Sequence, residues 1–181
     1  MGCDMDLNAA VAFWEWSDDR MGFFHLYSAL AAVILGPVIF LRRKGDLTHR
    51  LLGLFYVFAM LSTNATALTI YDFTSSVNIF HAFAVVSLIT TLAGLIAIVV
   101  YGASKSKAAL SGHIELMSWS YFGLFMATGA EVFTRGIGPL ITNYTSFWIF
   151  FGVYMLIAGA VGNIVTVKLI KGVKRRWLEP G

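Results

Sequence analysis

The stretch VNIFHAFAVVSLITTLAGLIAIVVY, running from Val77 to Tyr101, decides how this chain folds. It contains no Asp, Glu, Lys or Arg. As a helix it would rise about 37 Å, enough to cross the roughly 30 Å hydrocarbon core of a bilayer. Its glycines and β-branched residues would make a poor helix in water. Lipid, however, offers the backbone no partner but itself and so enforces one. Four other stretches read the same way: about Met21 to Leu41, Leu51 to Ile70, Ile114 to Phe133 and Ser146 to Ile170. No segment alternates apolar and polar residues with period two, which excludes a β-barrel. The expected fold is an all-α integral membrane bundle of about five transmembrane helices.

Composition points the same way. Of 181 residues 58% are apolar and 13% charged, and the mean hydropathy is +0.75, far from an ordinary soluble domain. The net charge of +3 does not imply a nucleic-acid partner once the charges are placed along the chain. Arg42, Arg43, Lys44 and Arg50 surround the first connection, Lys105 and Lys107 the third, and Lys168, Lys171, Lys174, Arg175 and Arg176 the tail. Only Arg20 and Arg135 fall on the other side, together with Asp4, Asp6, Glu15, Asp18, Asp19 and Asp72. The basic side is therefore expected in the cytoplasm, with the N-terminus out and the C-terminus in, in the inner (cytoplasmic) membrane of the cell.

Three regions follow. Residues 1–20 carry acids around Phe13, Trp14 and Trp16, lack a basic n-region, and read as an outer interfacial segment rather than a signal peptide. Residues 21–170 form one transmembrane domain, and 171–181 a basic cytoplasmic tail. Cys3 is the only cysteine and offers neither a staple nor a metal cluster. Pro37 should bend the first span, leaving a carbonyl for neighbouring helices to satisfy. Ala158-x-x-x-Gly162 gives the fifth span a small-residue face for close helix contact, and an oligomer does not follow from it. The sequon matches at Asn64 and Asn143 are discounted, the first because it lies inside a span.

The four histidines carry the functional reading. His25 and His81 each lie four residues inside the first and third spans, roughly 6 Å below the outer boundary. His49 and His113 mark the inner starts of the second and fourth. The motif Phe24-His25-Leu26-Tyr27-Ser28 is echoed by Phe80-His81-Ala82-Phe83-Ala84, so spans one and two read as duplicated in three and four, with the fifth appended. Two matched pairs on alternating helices are what a haem with two axial imidazoles needs. Small or slender residues stand on the same helix faces: Ser28, Ala32 and Gly36 beside His25, Gly53 and Tyr56 beside His49. The plain alternative is that each histidine is an interfacial residue whose ring meets water or a lipid headgroup.

This arrangement resembles the superfamily of two-haem b-type transmembrane cytochromes, whose four-helix core carries histidine pairs near both membrane faces. The inner histidines lie shallower here than that pattern places them, and two haems at these levels would sit roughly 24 Å apart. More locally, His49-Arg50-Leu51-Leu52-Gly53-Leu54-Phe55-Tyr56 and the segment from His113 to Arg135 resemble a family of bacterial predicted membrane proteins, domain of unknown function 2306. That likeness covers about residues 21–135 and implies no activity.

Other polar groups supply secondary candidates. Glu131 and Arg135 can pair at an i, i+4 gap at the outer end of the fourth span, and Arg135 suits a haem propionate or another anion. Glu115 stands two residues after His113, as an ion-pair partner or proton acceptor. Met117 could offer a thioether. Ser62, Thr63, Asn64 and Thr66 place polarity inside the second span, for helix association or for a solute path. No phosphate loop, dinucleotide fingerprint, H-E-x-x-H or nucleophile elbow occurs. The leading expectation is a b-type haem-binding electron-transfer or quinone-linked redox module embedded in the lipid bilayer. His25 and His81 would be the outer ligands, and His49 and His113 a second pair. The alternatives are a cofactor-free bundle that binds or transports protons or small solutes, and an accessory subunit of a membrane complex.

Overall fold

The computed structural model describes residues 20–70, 77 and 79–178. Of the expected outer interfacial segment, residues 1–19 lie outside these residues, as does Asp72, and Arg20 begins the first helix. Five long helices account for nearly all of the described chain: α1 (Arg20–Leu41), α2 (Leu47–Ala67), α3 (Ile79–Ser104), α4 (Lys107–Glu131) and α5 (Tyr144–Leu178). A π-helical turn, Val132–Ile137, and a 3₁₀ turn, Gly138–Leu140, join α4 to α5.

Among the described residues, three helical stretches are long and apolar enough to cross a membrane: Arg20–Leu41, Phe80–Ser104 and Tyr144–Leu178. They carry large apolar side chains outward, among them Ile34, Ile96 and Leu156. In water that surface would drive association; against lipid it is the expected face. α2 and α4 are less apolar because they turn polar residues inward: Thr63, Asn64 and Thr66 on α2 and Ser118 and Ser120 on α4 are buried. At about 1.5 Å per residue, the 35 residues of α5 rise about 52 Å, well beyond a bilayer core. Its excess lies at the basic end.

Close packing runs α1 to α2, α2 to α3, α3 to α4 and α4 back to α1, while α5 leans on α4 from outside. In such a ring α1 and α3 face each other across one diagonal, α2 and α4 across the other. Ala32, Tyr56, Val57, Ala59, Met60 and Leu124 form the central core. Gly36 permits the approach of α1 to α4, since a Cβ there would collide with the Tyr121 ring. Gly162 does the same for α5, where a Cβ would come within 2.6 Å of Phe122. The small-residue face of the fifth helix is thus used inside the bundle.

Pro37 sits within α1 and cannot donate to the carbonyl of Val33, four residues earlier. Tyr121 of α4 supplies the missing donor, its hydroxyl lying 3.3 Å from that oxygen. The two connections at the basic end are built alike. In each, one residue with positive φ precedes the N-cap: Gly45 (φ 82°) before Asp46, and Lys105 (φ 56°) before Ser106. Asp46 accepts from the His49 N–H at 2.7 Å and Ser106 from the Ala109 N–H at 3.4 Å, each satisfying an otherwise orphan donor of a first turn. This likeness of turns agrees with the duplicated reading of the first four helices. Asn143 caps α5 in the same manner, accepting from Ser146 N–H at 2.9 Å.

Candidate functional site

At the basic end the bundle opens into a cavity of about 880 Å³, within the usual range for ligand sites. Its walls are mostly apolar. Polar groups enter at defined places: His49 and Tyr56 from α2, His113 and Ser118 from α4, and Lys44, Arg50 and Lys105 near the two turns. Val173 and Trp177 bring the end of α5 to the wall. α5 is held there by an ion pair between Lys174 and Glu115 and by a bond from Lys107 Nζ to the Leu178 carbonyl at 3.3 Å.

The structure therefore brings His49 and His113 to one cavity from opposite corners of the ring. Gly53 and Tyr56, expected on the face of His49, line the same space, and Met117 stands there one turn beyond His113. His113 is oriented by its neighbour helix. Its Nδ1 lies 2.9 Å from the Gly94 carbonyl, which can only accept, so Nδ1 carries the proton and the Nε2 lone pair remains available. α3 and α4 pack closely here, since a Cβ at Gly94 would come within 2.7 Å of Met117 Sδ and 3.3 Å of Leu116 Cβ. The Nδ1 atom of His49 is buried and has no hydrogen-bond partner among the described residues. Counted from the N-caps, His49 is the third residue of its helix and His113 the seventh. The two rings thus leave their helices about one turn, or 6 Å, apart in height.

Behind Tyr56, which lines the cavity, runs a directed chain of buried hydroxyls. Thr91 donates to the Ser87 carbonyl at 2.8 Å, so at its 2.9 Å contact with Ser120 it must accept. Ser120 has then used its proton and accepts from Tyr56, at 3.2 Å. Tyr56 consequently turns its proton into the bundle. Nothing in the composition of α3 or α4 singled out Thr91 or Ser120, although both are almost fully buried.

Near the mouth, Lys44 donates to the carbonyls of Ile39 at 2.6 Å and Phe40 at 2.9 Å, closing the last turn of α1. Burial lowers the proton affinity of this ammonium below the usual lysine range. Arg50 Nε donates to the Gly45 carbonyl at 3.2 Å. The ammonium of Lys105 rests 5.6 Å from the centre of the Tyr101 ring.

The opposite end is a second polar layer. His25 Nδ1 lies 3.1 Å from both the Thr63 carbonyl and Thr66 Oγ1 on α2. Thr66 spends its own proton on the carbonyls of Ser62 and Thr63, so His25 is the donor and keeps its lone pair on Nε2. Thr63 donates to Ser28 at 3.0 Å, and Asn64 is buried with its Nδ2 unpaired among the described residues. His81 is buried at the start of α3. Glu131 and Arg135 form the expected pair, Nε to Oε2 at 2.7 Å, with Arg135 on the π-helical turn, a local geometry often found at functional sites. No group of three or more metal-ligating side chains occurs among the described residues; a haem held by two imidazoles needs only a pair.

The fold and site define a class: an all-helical membrane protein with a histidine-bearing cavity at its basic end. Within that class, a family model described as predicted membrane protein, DUF2306, matches residues 22–170, and the chain belongs to that family. No curated protein and no solved structure matches the chain.

Proposed function

We propose that this protein is a redox module of the inner membrane that binds haem b in the basic-end cavity, with His49 and His113 as axial imidazoles. The observation that carries this reading is that both rings reach one cavity of about 880 Å³ from helices standing across a diagonal. Several of the residues present support this reading. His113 offers Nε2 while Nδ1 is held by a carbonyl, as is usual for a histidine that ligates through its other nitrogen. Gly53 and Gly102 line the cavity, and a Cβ on either would meet nothing within 4 Å. Lys44, Arg50 and Lys105 stand where propionates would emerge. Bound haem supplies one-electron chemistry; the chain orients it and sets its charge environment. His25 and His81, with Arg135 as a propionate partner, form the second candidate pair in this proposal.

The difference in height between His49 and His113 favours a second reading. A quinone head group could span them through hydrogen bonds, which tolerate offset better than two bonds to one iron atom. Spectra of the purified, haem-supplied protein, oxidised and dithionite-reduced, separate the readings. A Soret band and a reduced α band that are lost in His49→Ala and His113→Ala, and kept in His25→Ala and His81→Ala, support the inner haem. Loss in only the latter two variants moves the haem to the outer pair. Absence of any band in wild type removes the haem reading and leaves quinone, titrated with the same variants.

A further inference from the structure

We infer that Lys105 is the residue by which the basic-end cavity recognises an anion, so that its ligand is an amphiphile bearing a carboxylate or a phosphate. The inference rests on the reading that this cavity holds an amphiphile, and not on that amphiphile being haem.

The first argument is the backbone. The α1–α2 and α3–α4 connections share one design, a positive-φ residue placed directly before the N-cap. In the first connection that residue is Gly45, the type that adopts such a conformation at no steric cost. In the second it is Lys105, for which φ 56° brings Cβ against its own carbonyl. The same turn is therefore made with a strained residue where glycine serves elsewhere in the molecule. Strain of this kind persists where a side chain is needed at that point.

The second argument concerns commitments among the cavity cations. Lys44 is held by two carbonyls at the end of α1, and Arg50 Nε by the carbonyl of Gly45. The Lys105 ammonium has a ring face beneath it and no carboxylate or carbonyl partner among the described residues. Tyr101, the ring that supports it, also lines the cavity. A cation held against an aromatic wall at the mouth retains its donors for a ligand.

The third argument is polarity along the cavity. Deeper in, the cavity is lined by apolar side chains with His113, whose Nε2 keeps a lone pair, whereas its mouth presents the three cations. An amphiphile lying between apolar walls would place its acidic group at the mouth, where Lys105 stands. Haem propionates and the phosphate of an anionic phospholipid share this chemistry.

The test uses the full-length protein and two variants that keep the turn, Lys105→Gly and Lys105→Asn, since glycine and asparagine both accept positive φ. Haem b and its dimethyl ester, which lacks the carboxylates, are titrated by Soret absorbance, and thermal unfolding is followed in the same samples. Both variants should bind haem b about tenfold more weakly than wild type, as expected for one lost charge-assisted bond. Their affinity for the ester should be unchanged, and Lys105→Gly should melt no lower than wild type. Equal haem affinity in wild type and both variants overturns the inference, as does an equal loss for the ester. If wild type binds neither haem, the haem reading has failed. Phosphatidylglycerol retained from mixed phosphatidylglycerol and phosphatidylcholine nanodiscs is then measured by mass spectrometry. Retention that falls in both variants sustains anion recognition with phospholipid as its source; retention independent of Lys105 overturns it.

Discussion

Tyr121→Phe tests whether α4 repairs the break that Pro37 makes in α1. The substitution removes one hydroxyl and keeps the ring that packs over Gly36. What is lost is the 3.3 Å bond to the Val33 carbonyl, which Pro37 has deprived of its helical donor. Interhelical hydrogen bonds in bilayers average about 0.6 kcal/mol, whereas a buried carbonyl left without a partner costs about 1–3 kcal/mol. With a bond of this length and an acceptor with no alternative donor, the expected loss is about 1 kcal/mol. Pro37→Ala restores an N–H for Val33, so in that background Tyr121→Phe should cost almost nothing. Reversible unfolding in mixed detergent–lipid micelles, read for wild type, both single variants and the double variant, gives the coupling as a cycle. An equal cost of Tyr121→Phe with Pro or Ala at position 37 would refute the reasoning and reduce the contact to coincidence.

Gly94→Ala should destabilise the bundle by about 1–3 kcal/mol through overpacking, because the new Cβ meets Met117 Sδ at 2.7 Å and Leu116 Cβ at 3.3 Å. It should also disturb the ring of His113, whose bond is to the Gly94 carbonyl; a melting temperature and His113 imidazole NMR shifts unchanged from wild type would contradict this. Thr91→Val keeps the shape of the side chain but strands the Ser120 proton in a fully buried site. A loss of about 1–3 kcal/mol is expected, measured by the same unfolding, with Thr91→Ser much milder because it preserves the acceptor.

Legibility of the fold in the sequence varied with the kind of signal. An uncharged run such as Val77 to Tyr101 has few alternatives to a helix, and α3 occupies most of it. The ends were harder to read. α4 begins at Lys107, seven residues before the apolar stretch, because Ser106 supplies a cap that hydropathy does not register. α5 continues to Leu178 since lysine and arginine leave the membrane without leaving the helix. The face shared by His49, Gly53 and Tyr56 followed from 3.6-residue periodicity, and these residues do share a cavity wall. Their partners across the bundle did not follow. A serine at 120 or a threonine at 91 looks like any other hydroxyl until packing brings the helices together. Pro37 announced an orphan carbonyl without announcing Tyr121. The backbone of Lys105 left no trace, because nothing in the sequence distinguishes it from an ordinary loop lysine.

The two polar layers also differ in what separates them. Along α2, Met60 stands one turn beyond Tyr56 and one turn before Thr63 and Asn64; along α4, Leu124 stands one turn beyond Ser120. With Ala32 from α1 these side chains form a dry layer, Met60 at 1% exposure and Ala32 at 0%. A solute entering from the basic end meets that layer before it reaches His25. A proton handed to Tyr56 finds hydroxyls already aimed at the Ser87 carbonyl, a terminus and not a relay. An electron needs neither an open path nor a movable proton, and packed apolar side chains do not stop it. Transport through the bundle therefore requires Met60 and Leu124 to move apart, whereas electron transfer between the two ends requires no motion of the chain. The packed core thus sets what a transport mechanism would have to move, and it leaves the redox reading to the spectra. Met60→Ser supplies the check: it should raise proton leak in liposomes only slightly if the bundle carries electrons, and a leak or solute flux already present in wild type would turn the argument toward transport.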